Sequence, residues 1–179
     1  MSILPRTYAR DGHEEVHRQR MKRVEANDPV AMCQEGNKQH NEGNYSRAFE
    51  YFTKATELGS PRGHYGLSTL YRSGQGVEMD KGKVMHHLEE AAIAGHPTAR
   101  YFLGSEELKN KNYERVVKHW FIAAAQGDDE SIKTLVTAFR YELVSKVSLL
   151  QLSVHTRLLQ MQPRVRRGKQ LKNIISKWV

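Results

Sequence analysis

The sequence predicts an all-α fold, a right-handed α-solenoid of antiparallel helix pairs with about three to three and a half repeats. Glycine recurs at the ends of three helix-like segments, at Gly59, Gly95 and Gly127. Proline recurs at the starts of such segments, with spacings of 32 and 36 residues, at Pro29, Pro61 and Pro97. Repeats of this length are typical of solenoids, in which stacked pairs bury a core that one pair cannot bury alone.

The first helices of the pairs are expected near residues 30–42, 62–73 and 98–109. Proline suits the first helical position because its missing N–H is one that the helix could not use. The residues before the first two prolines, Asp28 and Ser60, can cap a helix by accepting a backbone N–H. These signals predict where each first helix begins.

The second helices are expected to follow Asn44, Asp80 and Asn112, which are good N-cap residues. Each contains an aliphatic residue, a large apolar residue and an alanine at i, i+4 and i+7, so the three lie on one helical face. The three sets are Ala48, Phe52 and Ala55; Val84, Leu88 and Ala91; and Val116, Trp120 and Ala123. The glycine after each helix supplies the left-handed conformation that ends it.

The middle repeat carries a family resemblance. It contains a GQGV loop at residues 74–77, the N-capping Asp80 and an AAxxG ending at Ala91, Ala92 and Gly95. With these motifs it resembles the Sel-one-like repeat (SLR), a relative of the tetratricopeptide repeat. The other repeats lack the four-residue GxGV insertion and are more similar to the tetratricopeptide repeat. The resemblance covers residues 28–142 and implies a protein-binding scaffold.

Three parts are predicted along the chain: a charged N-terminal lead and helix over residues 1–27, the repeat module over 28–142 and a basic tail over 143–179. The N-terminal helix is expected from Gly12 to Ala26, packed on the first repeat. Residues 129–146 are expected to continue as half of a fourth repeat.

A second resemblance concerns the N-terminal part. The segment from Met21 to Met32 is similar to the sequence that follows a RING finger in larger proteins of this repeat family. Leu4 to Thr7 resembles the linker after the finger's last cysteines. The sequence has one cysteine, Cys33, so the zinc ligands of a RING finger are absent from it. The resemblance implies the repeat module of a ubiquitin-ligase-type protein, either truncated, mis-started or a stand-alone paralogue.

The formal net charge of +8 belongs almost wholly to the C-terminal part. Residues 1–27 carry +2, residues 28–128 carry −1 and residues 129–179 carry +7. Nucleic-acid-binding domains usually carry a net positive charge, and the repeat module does not. The lone Cys33 is expected to be a buried structural thiol, since a nucleophile would need an orienting base or a lowered pKa.

The tail after Lys146 has two interpretations. Leu171, Ile174, Ile175 and Trp178 form an apolar stripe among six basic residues, which is typical of a helix that binds anionic membranes or calmodulin-like partners, or that serves nuclear import. Alternatively, the segment Leu150–Arg157 is what the family's usual sequence here would become after a shift of reading frame. A frameshift near Lys146 is therefore the second hypothesis.

The predicted function is a non-catalytic scaffold or adaptor that binds a peptide or partner helix on the concave face of the repeats. No catalytic, cofactor or metal-ligand pattern stands out, so we expect no enzyme activity, cofactor, metal or small-molecule substrate. The candidate partner-binding residues are polar positions of the first helices: Gln34, Lys38, His64, Arg100 and Glu107.

A substrate-recruiting role in a ubiquitin-ligase-like protein is the finer form of this prediction. The alternative is a membrane- or nucleic-acid-associated adaptor that acts through the tail. No apolar run approaches the ~18 residues of a membrane span, and no signal-peptide pattern is present, so an intracellular, cytoplasmic location is expected, with the nucleus open. The sequence leaves the oligomeric state open.

Overall fold

A computed structural model of the chain describes residues 6–140. Over this range the chain forms eight α-helices and no β-strand. The helices are α1 (Arg6–Glu25), α2 (Pro29–Asn41), α3 (Tyr45–Glu57), α4 (Pro61–Ser73), α5 (Lys81–Ile93), α6 (Pro97–Lys109), α7 (Tyr113–Ala125) and α8 (Asp129–Arg140). The predicted tail, with its basic stripe and the frameshift hypothesis, lies outside the described residues. None of the described helices is both long and apolar enough to cross a bilayer.

The first helices begin where the prolines predict. Pro29, Pro61 and Pro97 each occupy the first turn. The preceding side chains cap these helices: Asp28 Oδ1 accepts from the Val30 N–H at 2.8 Å, and Ser60 Oγ accepts from the Gly63 N–H at 3.4 Å. His96 caps α6 in the same way through Nδ1, which accepts from the Ala99 N–H at 3.3 Å.

Two of the three second helices are capped differently from the prediction. Asp80 accepts a hydrogen bond from the Lys83 N–H, as expected. Asn44 and Asn112 occupy the N-cap positions of α3 and α7, but their side chains make no capping bond. Each amide instead donates to the side chain five residues earlier, to Gln39 at 3.0 Å and to Glu107 at 2.7 Å. These asparagines therefore tie the loop to the preceding first helix.

The helices divide into two compact units, with the division between Ala94 and Gly95. Unit 1 contains α1–α5 and unit 2 contains α6–α8. The repeat pattern over residues 28–142 does not indicate this division.

In unit 1 the core is centred on Phe52, which is buried together with Ala48, Leu67 and Leu70. A Cβ added to Gly36 on α2 would lie 2.7 Å from the Phe52 ring, and one added to Gly66 on α4 would lie 2.6 Å from it. The ring therefore fits between two helices that approach closely because these positions lack side chains. The prediction that Ala48, Phe52 and Ala55 lie on one face of α3 is confirmed, because all three are buried.

In unit 2 Trp120 has the corresponding role. It packs in a buried cluster with Val116, Val117, Phe121 and Leu135. A Cβ on Gly104 of α6 would lie 2.6 Å from the indole ring. The indole Nε1 donates to the Tyr101 carbonyl at 3.2 Å, so the polar atom of the buried ring is satisfied.

The N-terminal helix ends in the same way as the second helices of the repeats. Gly59, Gly95 and Gly127 have positive φ, and Asn27 at the end of α1 has φ 58°. Asparagine is one of the few non-glycine residues that adopt this conformation readily. α1 begins at Arg6, six residues before the predicted start, and packs on α2.

Candidate functional site

The five proposed partner contacts all lie on first helices of the pairs. Gln34 and Lys38 are on α2, His64 is on α4, and Arg100 and Glu107 are on α6. Three of them belong to unit 1 and two to unit 2. The structure therefore places them in two groups.

On α2, Gln34 is exposed and Lys38 is half-buried. Lys38 Nζ lies 3.9 Å from Glu35 Oε1 and 3.7 Å from Glu42 Oε1. Such i,i+3 and i,i+4 pairs contribute only about 0.2–0.5 kcal/mol each, so Lys38 could exchange them for a partner's carboxylate at little cost. Gln34 presents an amide, both donor and acceptor, to solvent.

Glu35 is a buried acid that the sequence analysis did not single out. Its side chain is 2% exposed, and its carboxylate accepts from Arg20 Nε and from Gln39 Nε2, each at 2.8 Å. Burial alone would raise the pKa of Glu35, but these hydrogen bonds and the nearby cations hold the pKa below its usual value. The carboxylate therefore stays ionised and links α1 to α2.

The repeat register explains why a charge is buried there. Arg20 precedes Phe52 by 32 residues, and Glu35 precedes Leu67 by the same interval. The Arg20–Glu35 pair on α1 and α2 thus replaces the apolar contact that Phe52 and Leu67 make in the next repeat. A charged residue in an otherwise apolar row was the sequence signal that could have identified Glu35.

The GQGV loop is held to the first repeat by Gln75. Its Oε1 accepts from Ser73 Oγ at 3.0 Å and lies 3.1 Å from His40 Nε2. Its Nε2 donates to the Tyr45 hydroxyl at 3.0 Å. The glycines on either side, Gly74 and Gly76, both have positive φ. The loop is therefore a structural connection between α2, α3 and α4.

His64 lies in a cluster of rings between α4 and α5. Its Nδ1 is 3.1 Å from Nδ1 of His87. The His87 ring stacks on Tyr71, with centroids 5.7 Å apart and planes inclined by 12°. Burial lowers the pKa of both histidines, with that of His87 lowered to about 4, helped by the charges of the neighbouring histidines. Both imidazoles are therefore neutral at pH 7.

An open depression of about 380 Å³ adjoins this cluster. It shares Tyr71 with the ring cluster, and the Lys83 ammonium lies 4.9 Å from the centroid of that ring. The other lining residues are Val77, Glu78, Met79 and Asp80. Met79 is 67% exposed, which makes it an apolar contact point at the surface of unit 1.

In unit 2 the corresponding positions are held by Arg100 on α6 and His119 on α7. Burial, followed by the charge of Arg100, lowers the pKa of His119. Glu107 pairs with Arg115 at 2.9 Å, and its side chain is 14% exposed. It also accepts the Asn112 bond described above. Glu107 therefore has a structural role in addition to the proposed one.

Cys33 is buried, and its Sγ lies 3.3 Å from Ser60 Oγ. Burial raises the pKa of the thiol above its ordinary value, so the reactive thiolate is disfavoured. The prediction of a structural thiol is confirmed.

No protein-family model matches the sequence. Among solved structures, the chain is similar to a Sel1 repeat protein from Oxalobacter formigenes, with a TM-score of 0.61, 26% identity and coverage of 69% of this chain and 54% of that one. It is also similar to a protective antigen of uropathogenic Escherichia coli strains that displays an SLR fold, with a TM-score of 0.59, 25% identity and coverage of 68% and 28%. The described part of this chain therefore has a helical repeat fold similar to that of Sel1 repeat proteins. The predicted all-α solenoid class is thereby confirmed.

A relative by sequence is an uncharacterized protein of Neisseria meningitidis serogroup B, 34% identical over 85 residues. The match covers 48% of the Sel1-like chain and 18% of that relative. The Sel1-like chain thus spans about a fifth of the relative and about half or less of the two solved proteins. The similarity to proteins with a RING finger stays a prediction.

Proposed function

We propose that this Sel1-like chain is a non-catalytic scaffold that binds a peptide or a partner helix through the first helices of its repeats. The observation that carries the proposal is made in each unit separately: α2 and α4 in unit 1, and α6 in unit 2, bury an apolar side while the polar side chains of the five positions remain near the surface. An extended or helical segment could satisfy several such side chains at once.

The five residues differ in how readily a partner could contact their side chains. Gln34 is exposed, so a partner can reach its amide without displacing a contact. Lys38, His64, Arg100 and Glu107 already interact with other residues of the chain, so their contribution requires exchange of those contacts. Gln34 is therefore the first position to test in unit 1. Arg100 is the position to test in unit 2, because Glu107 is also the partner of Arg115 and Asn112.

The experiment is a selection of peptides from a random phage-displayed library against the full chain, followed by affinity measurements on variants. We expect Gln34→Ala or Arg100→Ala to weaken binding of a selected peptide by at least ~5-fold, about 1 kcal/mol. Glu89→Ala, an exposed change on the second helix α5, is the matched control and should bind normally. Unchanged affinity in both test variants would contradict a first-helix site.

The adaptor function through the tail is distinguished by the same peptides. Removal of residues 147–179 should leave binding to the first helices unchanged. If binding instead disappears with the tail and falls steeply as salt is raised, the membrane- or nucleic-acid-associated function replaces the scaffold.

We also propose that the scaffold recruits substrates for a ubiquitin-ligase-type assembly. The support is the resemblance of residues 21–32 and of the Leu4–Thr7 segment to the sequence after a RING finger. The full transcript should then encode closely spaced cysteine pairs in frame before Met1. A stop codon in frame directly upstream of Met1 would count against this role and leave the peptide-binding scaffold intact.

A further inference from the structure

The contact between His64 and His87 has a geometry that a simple packing contact does not require. Each histidine comes from a different helix, α4 or α5, and the two Nδ1 atoms lie 3.1 Å apart. In unit 2 the position of His64 is held by Arg100, which cannot accept a hydrogen bond or bind a metal. Two facing imidazoles are therefore particular to this repeat.

We propose that His64 and His87 form a two-histidine site for a borderline divalent cation such as Zn²⁺, bound through the Nδ1 atoms. Zinc–imidazole bonds are about 2.0–2.1 Å long, and a tetrahedral angle then sets the two nitrogens about 3.3–3.4 Å apart. The observed separation is 3.1 Å. A change of a few tenths of an ångström, within the range of side-chain rotation, converts the contact into a chelate.

The surroundings hold both rings in place for this role. His87 is stacked on Tyr71, and the centroids of His64 and His87 are 5.4 Å apart. Burial lowers the pKa of both histidines, so each imidazole carries one hydrogen at pH 7. In the free protein one Nδ1 carries the hydrogen of the contact. That hydrogen moves to Nε2 when the metal binds, with no net release.

The site has two protein ligands. Among residues 6–140, no group of three or more histidine, cysteine or acidic side chains is arranged for a metal. The negative charge of Glu90 acts on both histidines and favours binding of a cation there. The positive charge of Lys83 opposes a cation at His87. The remaining coordination positions are open to water or to a side chain of a bound protein. This inference does not depend on the proposed scaffold function.

The test is a calorimetric titration of the full chain with ZnCl₂ at pH 7. We expect one binding event per chain that weakens at least ~10-fold in His64→Gln and in His87→Gln. His87→Tyr is a second variant for the same ligand, and it should fold because Tyr51 holds this position in the first repeat. Far-UV circular dichroism verifies the fold of each variant.

Two controls separate this site from other histidines. His86→Gln alters an exposed neighbour, and the His13→Gln/His17→Gln double variant removes an i,i+4 pair on α1. Both should bind Zn²⁺ like the original chain. If either control abolishes the event, or if His64→Gln and His87→Tyr bind normally, the assignment is wrong.

Discussion

At the residue scale, the packing of the repeats depends on positions without a side chain. Phe52 and Trp120 fill space that exists because Gly36, Gly66 and Gly104 face them. A methyl group at Gly66 would meet the Phe52 ring at 2.6 Å, shorter than any normal carbon–carbon contact. The ring has little room to move because it is buried on both sides.

Gly66→Ala should therefore destabilise unit 1 by about 1–3 kcal/mol, the usual cost of overpacking a core. The measurement is urea denaturation followed by circular dichroism. The matched control is Gly82→Ala in the first turn of α5, where an added Cβ meets only the Asp80 side chain, at 3.3 Å. Alanine there should be neutral or stabilising by up to ~1 kcal/mol. Equal effects of the two substitutions would contradict the packing described for Phe52.

His87 makes stability depend on pH. Its pKa is about 4 in the folded chain, below the ordinary value of 6.5. Between these values the unfolded chain binds more protons than the folded chain, so stability falls as pH is lowered from about 6.5 to about 4 and then levels off. His87→Tyr should remove this contribution and make the dependence shallower in that window, while the lowered pKa values of His64 and His119 maintain part of it. Urea denaturation at several pH values measures the free energy of unfolding of both chains. Identical slopes of this free energy against pH for the variant and the original chain would refute the prediction.

At the element scale, α1 is joined to the repeats by the Arg20–Glu35 pair. Arg20→Met should destabilise the chain by about 3 kcal/mol at pH 7, since it leaves a buried carboxylate without its main partner. The double variant Arg20→Met/Glu35→Leu should recover most of this loss, because the apolar pair restores the type of contact that Phe52 and Leu67 make. Both effects are measured from urea denaturation midpoints, compared at an equal slope of the unfolding free energy against urea concentration.

The pH dependence provides the control for this pair. The pKa of Glu35 is lowered in the folded chain, so its ion pair contributes stability above the ordinary glutamate pKa of about 4.3. That contribution disappears as pH falls through the lowered folded value. The penalty of Arg20→Met should therefore shrink in acid. A penalty that is constant from pH 7 to pH 3 would assign the effect to lost aliphatic packing.

The helices themselves could be predicted closely from the sequence. The first helices begin within one residue of the expected positions because proline and a capping side chain act through local geometry. The roles of Asn44 and Asn112 could not be predicted in this way. Each side-chain amide could accept a hydrogen bond from a free N–H of the next helix or donate one to a side chain of the previous helix. The proximity of Gln39 and Glu107 in the folded chain favours the second hydrogen bond.

The candidate site was predicted less well than the fold. The five polar positions were chosen for not being needed in the core, yet Glu107 proves to be a structural acceptor and His64 a partner of His87. Glu35 and Gln75 were missed because their importance arises from contacts 15 and 30 to 35 residues away. Which residues pair over such a sequence separation depends on how the helices pack, and the spacing of neighbouring residues in the sequence does not indicate it.

At the scale of the whole molecule, the charge is unevenly distributed. Residues 147–179 contain seven basic and no acidic residues, so the chain without them has a formal net charge of +1. Deletion of this segment should abolish most retention on a heparin column at about 0.1 M salt, where electrostatic binding is still strong. Retention that persists after deletion would show that the repeats themselves hold a basic surface.

The conformation of Asn27 also bears on how a chain of this kind can grow. Each repeat begins after a residue in the left-handed conformation, so the backbone allows one unit to follow another. A tandem copy of residues 28–59, however, would bring a second Glu35 to the position where Leu67 now packs beside Phe52, away from Arg20. Lengthening by duplication is therefore favoured for the units after the first repeat, and the Arg20–Glu35 pair stays where α1 meets the repeats.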